Sequence, residues 1–201
     1  MITVVLQAGG ESTRMGKDKA FLPFLGIPLI RRLMDRFQQL NAEMLVITNN
    51  LPAYQEFGLP VFEDVHPGRG ALGGLLTALS VANTPLVGLV AVDMPFASPQ
   101  LIEFMADRVQ RSNWDGMIPS TVNGIEPLHA VYRRKTCLTL VEEAIDQDLW
   151  RMKAWHKKAN LKILDPDETL HITGSEHTFL NLNTPEEFNA AENIALDLDL
   201  E

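Results

Sequence analysis

The sequence contains few of the residues that several common protein classes depend on. Its 201 residues include one cysteine, Cys137, so neither an internal disulfide nor a structural zinc site built on several cysteines can form. Cations are also scarce, because 17 Lys and Arg stand against 26 Asp and Glu, for a formal net charge of −9. This balance argues against a general nucleic-acid-binding protein. A few local cations and backbone amides can still hold a small anionic ligand.

Long apolar segments and targeting signals are missing as well. The longest apolar run, at 86–92, is too short to cross a bilayer. Residues 1–6 lack the basic flank of a signal peptide and lead directly into a glycine-rich turn. The hydrophobic fraction of 46% and the charged fraction of 21% are typical of an ordered globular chain. We therefore expect a cytoplasmic protein that binds neither membranes nor nucleic acids.

Short apolar runs alternate with longer amphipathic segments. The apolar runs predict strands at 2–6, 44–48, 60–62, 86–92, 115–119, 128–132 and 161–164. Helical spacing of apolar residues predicts helices at 29–40, 73–82, 100–111, 138–146 and 185–196, while 49–52 is a breaker. This order predicts an α/β fold with a doubly wound, mainly parallel sheet and helices on both faces. Without repeats or a long linker, we expect one domain spanning 1–201.

A glycine-rich segment with three cations follows the first predicted strand. Residues 6–19 read Leu-Gln-Ala-Gly-Gly-Glu-Ser-Thr-Arg-Met-Gly-Lys-Asp-Lys. Glycines let backbone amides approach a phosphate, and Arg14, Lys17 and Lys19 can neutralise a triphosphate. The Walker A pattern does not fit, because Gly10 and Gly16 are one residue too far apart, and the Gly-x-Gly-x-x-Gly fingerprint is absent. An ordinary glycine turn with solvated lysines is the alternative.

Acidic residues follow two of the predicted strands. Asp93 comes directly after the run 86–92 and should lie at the carboxyl end of its strand, where open α/β sheets bind ligands. Because Mg²⁺ accepts one or two carboxylates plus substrate phosphates, Asp93 is the predicted metal ligand, with a helix cap as the alternative. Asp64 precedes a second glycine-rich loop, 66–74, which either lies against a base or ribose or forms a simple turn.

Together these segments resemble the molybdenum cofactor guanylyltransferases, which belong to the sugar-nucleotide-transferase-like nucleotidyltransferases. Residues 7–20 are similar to the family signature Leu-Ala-Gly-Gly-x-Ser-x-Arg-Met-Gly-x-Asp-Lys. The similarity continues in family order at 25–29, 67–75, 93–96, 127–132 and 179–187. The resemblance implies a Rossmann-like nucleotidyltransferase fold and an enzyme that uses Mg²⁺ to transfer GMP from GTP to molybdenum-bound molybdopterin, releasing pyrophosphate.

The resemblance also implies roles for individual residues. The GTP contacts it implies are Gln7, Ala8, Gly9, Lys19, Asp64, Asp93 and a residue near Thr48 or Asn49. Asp93 would hold Mg²⁺, and Arg14 would lie near the phosphates being joined. Asn181 and Asn183 would face the pterin. Molybdoenzymes or cofactor-handling proteins are the partners implied for the product.

Departures from the family pattern keep other functions open. Gln7 stands where the family usually has Leu, and Arg151 is the one loose candidate for an arginine pair that often precedes the last strand. Trp150 and Trp155, beside it, are expected to cover a core edge, with a ring face for the pterin as the alternative. A molybdopterin cytidylyltransferase or a sugar- or polyol-phosphate nucleotidyltransferase would share the first loop and the aspartate. A silent NTP-binding regulatory module is the remaining alternative.

Overall fold

Strands and helices alternate along most of the chain, as the sequence predicts. The computed structural model describes residues 1–8 and 18–198. The strands are β1 (Ile2–Gln7), β2 (Pro23–Phe24), β3 (Ile27–Pro28), β4 (Glu43–Ile47), β5 (Val61–Phe62), β6 (Leu86–Ala91), β7 (Gly116–Thr121), β8 (Gly124–Ile125), β9 (His129–Arg133) and β10 (Leu161–Leu164). The helices are α1 (Leu29–Phe37), α2 (Leu51–Tyr54), α3 (Gly70–Val81), α4 (Pro99–Gln110), α5 (Arg134–Asp146), α6 (Pro166–Thr173) and α7 (Pro185–Asp197). Short 3-10 helices lie at Lys19–Phe21, Gln55–Phe57 and His156–Lys158.

The main sheet has the strand order β10-β7-β9-β6-β1-β4-β5. Strand β1 is parallel to β4 and β6, and β4 is parallel to β5. Strand β9 is antiparallel to both β6 and β7, and β10 is again parallel to β7. The predicted mainly parallel, doubly wound sheet is confirmed, and β9 is its antiparallel insertion. We call β5-β4-β1-β6 the first half of the sheet and β9-β7-β10 the second half.

Helices cover both faces of the sheet because side chains alternate along each strand. In β1, Val4 and Leu6 pack with buried residues of α1 and α4. Val5 lies on the opposite face and packs with buried residues of α3 and α5. These three side chains are fully buried, and each such burial stabilises the fold by about 1.5–3 kcal/mol. Strand β1 therefore contributes buried side chains to the hydrophobic cores on both faces of the sheet.

A third apolar cluster attaches the C-terminal segment to the rest of the fold. Phe24, in the β2–β3 hairpin, packs edge-on against both Phe96 and Phe188, with ring centroids 6.0 and 5.6 Å away. Leu182 is buried in the same cluster. Because Phe188 belongs to α7 and Phe96 follows β6, this cluster brings the chain before α7 next to the end of β6.

Several elements differ from the sequence prediction. Helix α2 forms where a breaker was expected, because Pro52 falls in its first turn, where the missing N–H leaves no hydrogen bond unmade. Helix α3 begins at Gly70 rather than Gly73, and α1 ends at Phe37 rather than Leu40. Helix α6, strand β8 and the β2–β3 hairpin were not predicted. Within 1–8 and 18–198, no helix combines the length and apolarity needed to cross a membrane.

Candidate active site

The carboxyl ends of the first-half strands are aligned. Gln7, the last residue of β1, pairs with Ile47 of β4 and with Ala91 of β6. Ile47 in turn pairs with Phe62 of β5. The residues that follow these strands therefore share one edge of the sheet, and Asp93 lies at this edge, as predicted from the run that precedes it.

Lys19, Asp93 and Asn183 meet at this edge. The Lys19 amine donates a hydrogen bond to Asn183 Oδ1 at 2.8 Å. Lys19 Nζ also lies 3.6 Å from Asp93 Oδ2, and the two side chains are 19% and 26% exposed. These residues come from three distant parts of the sequence. We call them the Lys19–Asp93–Asn183 cluster.

Burial and charge act in opposite directions on Asp93. Burial raises the pKa of its carboxyl group, while the charge and hydrogen bond of Lys19 oppose that rise, and the charge of Glu187 adds to it. The helix-cap alternative for Asp93 is wrong, because Ser98 caps α4 by accepting a hydrogen bond from Leu101 N at 3.2 Å. The Asp93 carboxylate therefore does not cap α4, and it lies beside Lys19 with its side chain 26% exposed.

The C-terminal segment holds Asn183 rigidly. The main-chain carbonyl of Asp93 accepts a hydrogen bond from Leu182 N at 3.0 Å. Glu187 Oε2 accepts hydrogen bonds from the main-chain N–H groups of Asn183 and Thr184, at 2.6 and 3.0 Å. Thr184 Oγ1 accepts from Glu187 N, which completes a capping box at the start of α7. The cap thus fixes the backbone next to the cluster.

Asn181, the other residue predicted to face the acceptor, does not contact the cluster. Its side-chain amide donates to the carbonyl of Phe179 at 3.2 Å. It is half-buried. Of the two predicted acceptor residues, only Asn183 is therefore hydrogen-bonded to Lys19.

Asp64 connects the second glycine-rich loop to α3. Its Oδ1 accepts hydrogen bonds from His66 N at 3.1 Å and from Thr77 Oγ1 at 2.9 Å. A Cβ placed on Gly73 would lie 3.3 Å from Asp64 Oδ2, so the glycine leaves room for this carboxylate. Asp64 therefore holds the turn of the loop, as the simple-turn alternative expects. Its contact with a nucleotide stays a prediction.

Gln7 places a polar side chain where an apolar one would pack. Its side chain is 7% exposed and lies directly against Gly74, where any Cβ would clash with the Gln7 amide. Gln7 Oε1 is buried and has no hydrogen-bond partner among the described residues. Leaving a buried acceptor unpaired costs about 1–3 kcal/mol. The position of this acceptor at the end of β1 makes Gln7 a candidate for contact with a ligand.

The remaining predicted residues occupy different settings. Gly9 and Arg14 lie outside the described residues, as does the rest of 9–17. Ala8 N donates to the carbonyl of Ile47 at 2.8 Å, which extends the β1–β4 pairing by one residue. Thr48 is 1% exposed, whereas Asn49 is exposed at the same edge of the sheet.

The two tryptophans also differ in setting. Trp155 is 1% exposed and belongs to the core between the sheet and α5, as a core-edge residue should. The Arg69 guanidinium lies 4.6 Å from the centre of the Trp150 ring, and the His66 ring meets the same ring edge-on. Trp150 therefore joins the chain after α5 to the second glycine-rich loop, and one face of its ring is already covered.

The donor set fits Mg²⁺ only with the help of a substrate. Among residues 1–8 and 18–198, no group of three or more His, Cys, Asp or Glu side chains is placed to hold a metal ion. Asp93 offers one partly exposed carboxylate. Mg²⁺ is often held by one or two carboxylates together with waters and substrate phosphates. Asp93 therefore suits a metal that arrives with a nucleotide, not one enclosed by protein ligands.

Sequence reasoning missed two residues that border the cluster. Asp18 was noted only as part of the signature, yet its Oδ2 accepts a hydrogen bond from Tyr54 OH at 2.8 Å. No local pattern links these residues, which lie 36 positions apart. Glu187 was overlooked as well, although Thr184-Pro185-Glu186-Glu187 is a readable capping-box pattern.

Comparisons with known proteins identify the family and the fold. The model of the MobA-like NTP transferase domain matches residues 4–160. A relative from Natronomonas pharaonis, named probable molybdenum cofactor guanylyltransferase, is 33% identical over 94% of this chain and 96% of its own length. A relative of the same name from Carboxydothermus hydrogenoformans is 30% identical over 93% of each chain. The crystal structure of molybdopterin-guanine dinucleotide biosynthesis protein A from Archaeoglobus fulgidus superimposes with a TM-score of 0.84 at 22% identity, covering 98% of this chain and 100% of that one.

Proposed function

We propose a guanylyltransferase function for this chain, which belongs to the family of MobA-like NTP transferases. It would transfer GMP from GTP to the terminal phosphate of molybdenum-bound molybdopterin and release pyrophosphate. The names of its relatives support this choice of substrates. The observation that carries the proposal is the Lys19–Asp93–Asn183 cluster, which sets a cation and a carboxylate side by side where α/β sheets bind ligands.

The cluster suits the transfer of a nucleotidyl group between phosphates. Such a reaction depends on placing an acceptor oxygen in line with the α-phosphorus and on stabilising charge, with no protein nucleophile required. The Lys19 amine is held at the sheet edge and can exchange its contact with Asp93 for a phosphate oxygen of the donor. The acceptor phosphate is already ionised, so none of these residues needs to act as a general base.

Asp93 would hold the metal ion in this reaction. When bound, Mg²⁺ neutralises the phosphates of donor and acceptor and helps to orient them. The carboxylate of Asp93 is partly exposed and lies beside Lys19, so a metal at this oxygen would also be close to the phosphates that Lys19 contacts. Arg14 is proposed to stabilise the same charges from the first glycine-rich loop.

The donor and acceptor are proposed to occupy opposite sides of the cluster. We assign to GTP the residues Gln7, Ala8, Gly9, Asn49 and Asp64. Asn181 and Asn183 belong to the segment before α7 and are assigned to the pterin. We propose that the reaction takes place in the cytoplasm and that its product passes to molybdoenzymes or cofactor-handling proteins.

One observation favours a second candidate within the same fold. Gln7 lies at the end of β1, where the family usually has Leu, and its buried amide oxygen has no hydrogen-bond partner among residues 1–8 and 18–198. A polar group at such a position can change which base is accepted, because sites that hydrogen-bond a substrate discriminate strongly against one that cannot pair. A cytidylyltransferase acting on molybdopterin is therefore the alternative.

The test is a choice among four nucleotides. Purified protein would be incubated with molybdenum-loaded molybdopterin, Mg²⁺ and, in separate reactions, GTP, CTP, ATP or UTP, and pyrophosphate and dinucleotide would be measured. Turnover with GTP that is lost when EDTA removes the metal supports the proposal. Preference for CTP would transfer the enzyme to the cytidylyl alternative. Binding of an NTP without pyrophosphate release from any mixture would contradict the proposal and favour a silent module.

A further inference from the structure

The position of Lys19 depends on the turn that precedes it. Lys19 is the first residue of the 3-10 helix Lys19–Phe21, and Asp18 precedes that helix with extended backbone angles, φ −62° and ψ 118°. Asp18 Oδ1 accepts a hydrogen bond from Ala20 N at 3.1 Å, and its main-chain carbonyl accepts one from Phe21 N at 3.1 Å. The carboxylate of Asp18 therefore closes the turn from which the Lys19 side chain projects.

Tyr54 holds the other oxygen of the same carboxylate. Its hydroxyl donates to Asp18 Oδ2 at 2.8 Å, and its side chain is fully buried at the end of α2. The Tyr54 ring also meets the Phe21 ring edge-on, with centroids 4.8 Å apart. One residue of α2 thus contacts the residue before Lys19 and the last residue of its 3-10 helix. Lys19 lies between these two contacts.

The chemistry of the Tyr54–Asp18 contact makes it a firm one. Burial raises the pKa of the Tyr54 hydroxyl well above its ordinary value, and the charge of Asp18 and the hydrogen bond between them raise it further, while a hydrogen bond with Thr48 opposes the rise. The hydroxyl therefore keeps its proton and remains a donor. A hydrogen bond to an ionised acceptor is about twice as strong as one between neutral groups.

We propose that Tyr54 is a positioning residue for Lys19. The Tyr54 hydroxyl fixes the Asp18 carboxylate, the carboxylate fixes the turn, and the turn directs the Lys19 amine to Asn183 and Asp93. Direct N–H···O bonds hold only within about 2.7–3.2 Å, so a loosened turn breaks the 2.8 Å bond to Asn183. This inference rests on the proposed role of Lys19 in binding the nucleotide phosphates.

The chain offers a matched control for the test. Tyr54→Phe removes the hydroxyl and keeps the ring against Phe21. Tyr132→Phe removes an equally buried hydroxyl, which donates to the Pro127 carbonyl at 2.8 Å in the second half of the sheet. Both variants should lower Tm, but only Tyr54→Phe should weaken GTP binding, by about two- to tenfold in the Kd measured by calorimetry.

Two further measurements separate a positioning role from a purely structural one. In a Lys19→Ala background, Tyr54→Phe should add no further loss of GTP affinity, because the residue through which it acts is gone. In protein without nucleotide, acetic anhydride labelling followed by mass spectrometry should show a more reactive Lys19 amine in Tyr54→Phe and an unchanged one in Tyr132→Phe. Lys158, exposed on the surface, serves as the internal reference.

The outcomes distinguish this inference from the proposed function. If no NTP binds even to the unmodified protein but Lys19 labelling rises in Tyr54→Phe, the positioning role stands and the proposed function is wrong. If GTP binds and neither its Kd nor Lys19 labelling changes in Tyr54→Phe, the positioning role is wrong. An equal loss of affinity in the presence and absence of Lys19 would also overturn it, because Tyr54 would then act by another route.

Discussion

The two halves of the sheet use their buried polar groups differently. In the first half, the Tyr54 hydroxyl bonds to the Asp18 carboxylate, and Lys19 bonds to Asn183 beside Asp93. These are contacts between side chains of distant segments, and they surround the strand ends.

In the second half, polar side chains of β9 bond mainly to the main chain. Arg133 donates to the carbonyls of Val109, Ser112 and Trp114, and the Tyr132 hydroxyl donates to Pro127. His129 Nε2 accepts a hydrogen bond from Ser98 N at 2.8 Å. Such bonds hold loops and helix ends in place. We therefore predict that the first half carries the chemistry and that the second half supports it.

The largest loss of activity, and the strongest test of the difference between the two halves, should come from Asp93→Ala. If the first half carries the chemistry, the turnover rate of the variant should fall by more than about a hundredfold, because the carboxylate assigned to the metal is gone. Its Tm should change little, since a carboxylate that burial disfavours is removed. Steady-state pyrophosphate release and a thermal melt are the measurements.

Asp107→Ala is the matched control, because Asp107 is exposed and its one ion pair among the described residues is with Arg111, the residue that follows α4. It should keep full activity. Full activity in Asp93→Ala would instead remove Asp93 from the site.

Lys19→Ala should have the next largest effect. Loss of one charge-stabilising group costs about a hundredfold in rate, and kcat/KM for the NTP should fall by about that factor with weaker NTP binding. Lys158→Ala is the control, because it removes a surface lysine that pairs with Glu143 at 2.9 Å. It should leave the kinetics unchanged. Near-normal kinetics in Lys19→Ala would contradict its assignment.

The second half should contribute to folding stability and not to catalysis, and the pH dependence of stability tests this. Burial lowers the pKa of His129 to about 4, with a small contribution from Arg36 in the same direction. The unfolded chain takes up this proton near pH 6.5, so the free energy of unfolding should fall by about 2 kcal/mol between pH 7 and pH 5 from this group.

His129→Gln removes that titration and should make the pH dependence of stability shallower, measured by urea unfolding. The dependence should not vanish, because burial also lowers the pKa of His156 to about 4. Nucleotide affinity at pH 7 should stay within about twofold of the parent, since His129 lies in the supporting half. An unchanged slope would show that His129 is not buried in its neutral form.

Gln7→Leu should have the smallest effect on overall activity and the most specific effect on the choice of nucleotide. Gln7 Oε1 is buried and has no hydrogen-bond partner in the described part of the chain, so its removal should raise the free energy of unfolding by about 1 kcal/mol. If the amide pairs with the base, the ratio of GTP to CTP turnover should change as well. Gln110→Leu, at an exposed position of α4, should alter neither quantity. Lower stability together with an unchanged nucleotide ratio would assign Gln7 to packing against Gly74.

Much of the fold was predictable because local patterns of apolar residues indicate most of the strands and helices. The continuous apolar run at 86–92 predicts a strand covered on both faces, and β6 is one, with every residue buried. The bounds of β10 agree with the prediction at both ends. The antiparallel direction of β9 could not be predicted, because its alternation of apolar residues is the same whichever way the strand runs.

The candidate site was also predictable only in part. Neighbouring residues are enough to predict the alternation of strands and helices, the cations beside the first glycines and the place of Asp93 after a buried strand. The contacts of Lys19 with Asn183 and of Tyr54 with Asp18 become visible only in the folded chain. Those contacts depend on how α2, α7 and the β2–β3 hairpin pack on the sheet, and packing between distant elements is set by shape and burial that no local pattern records.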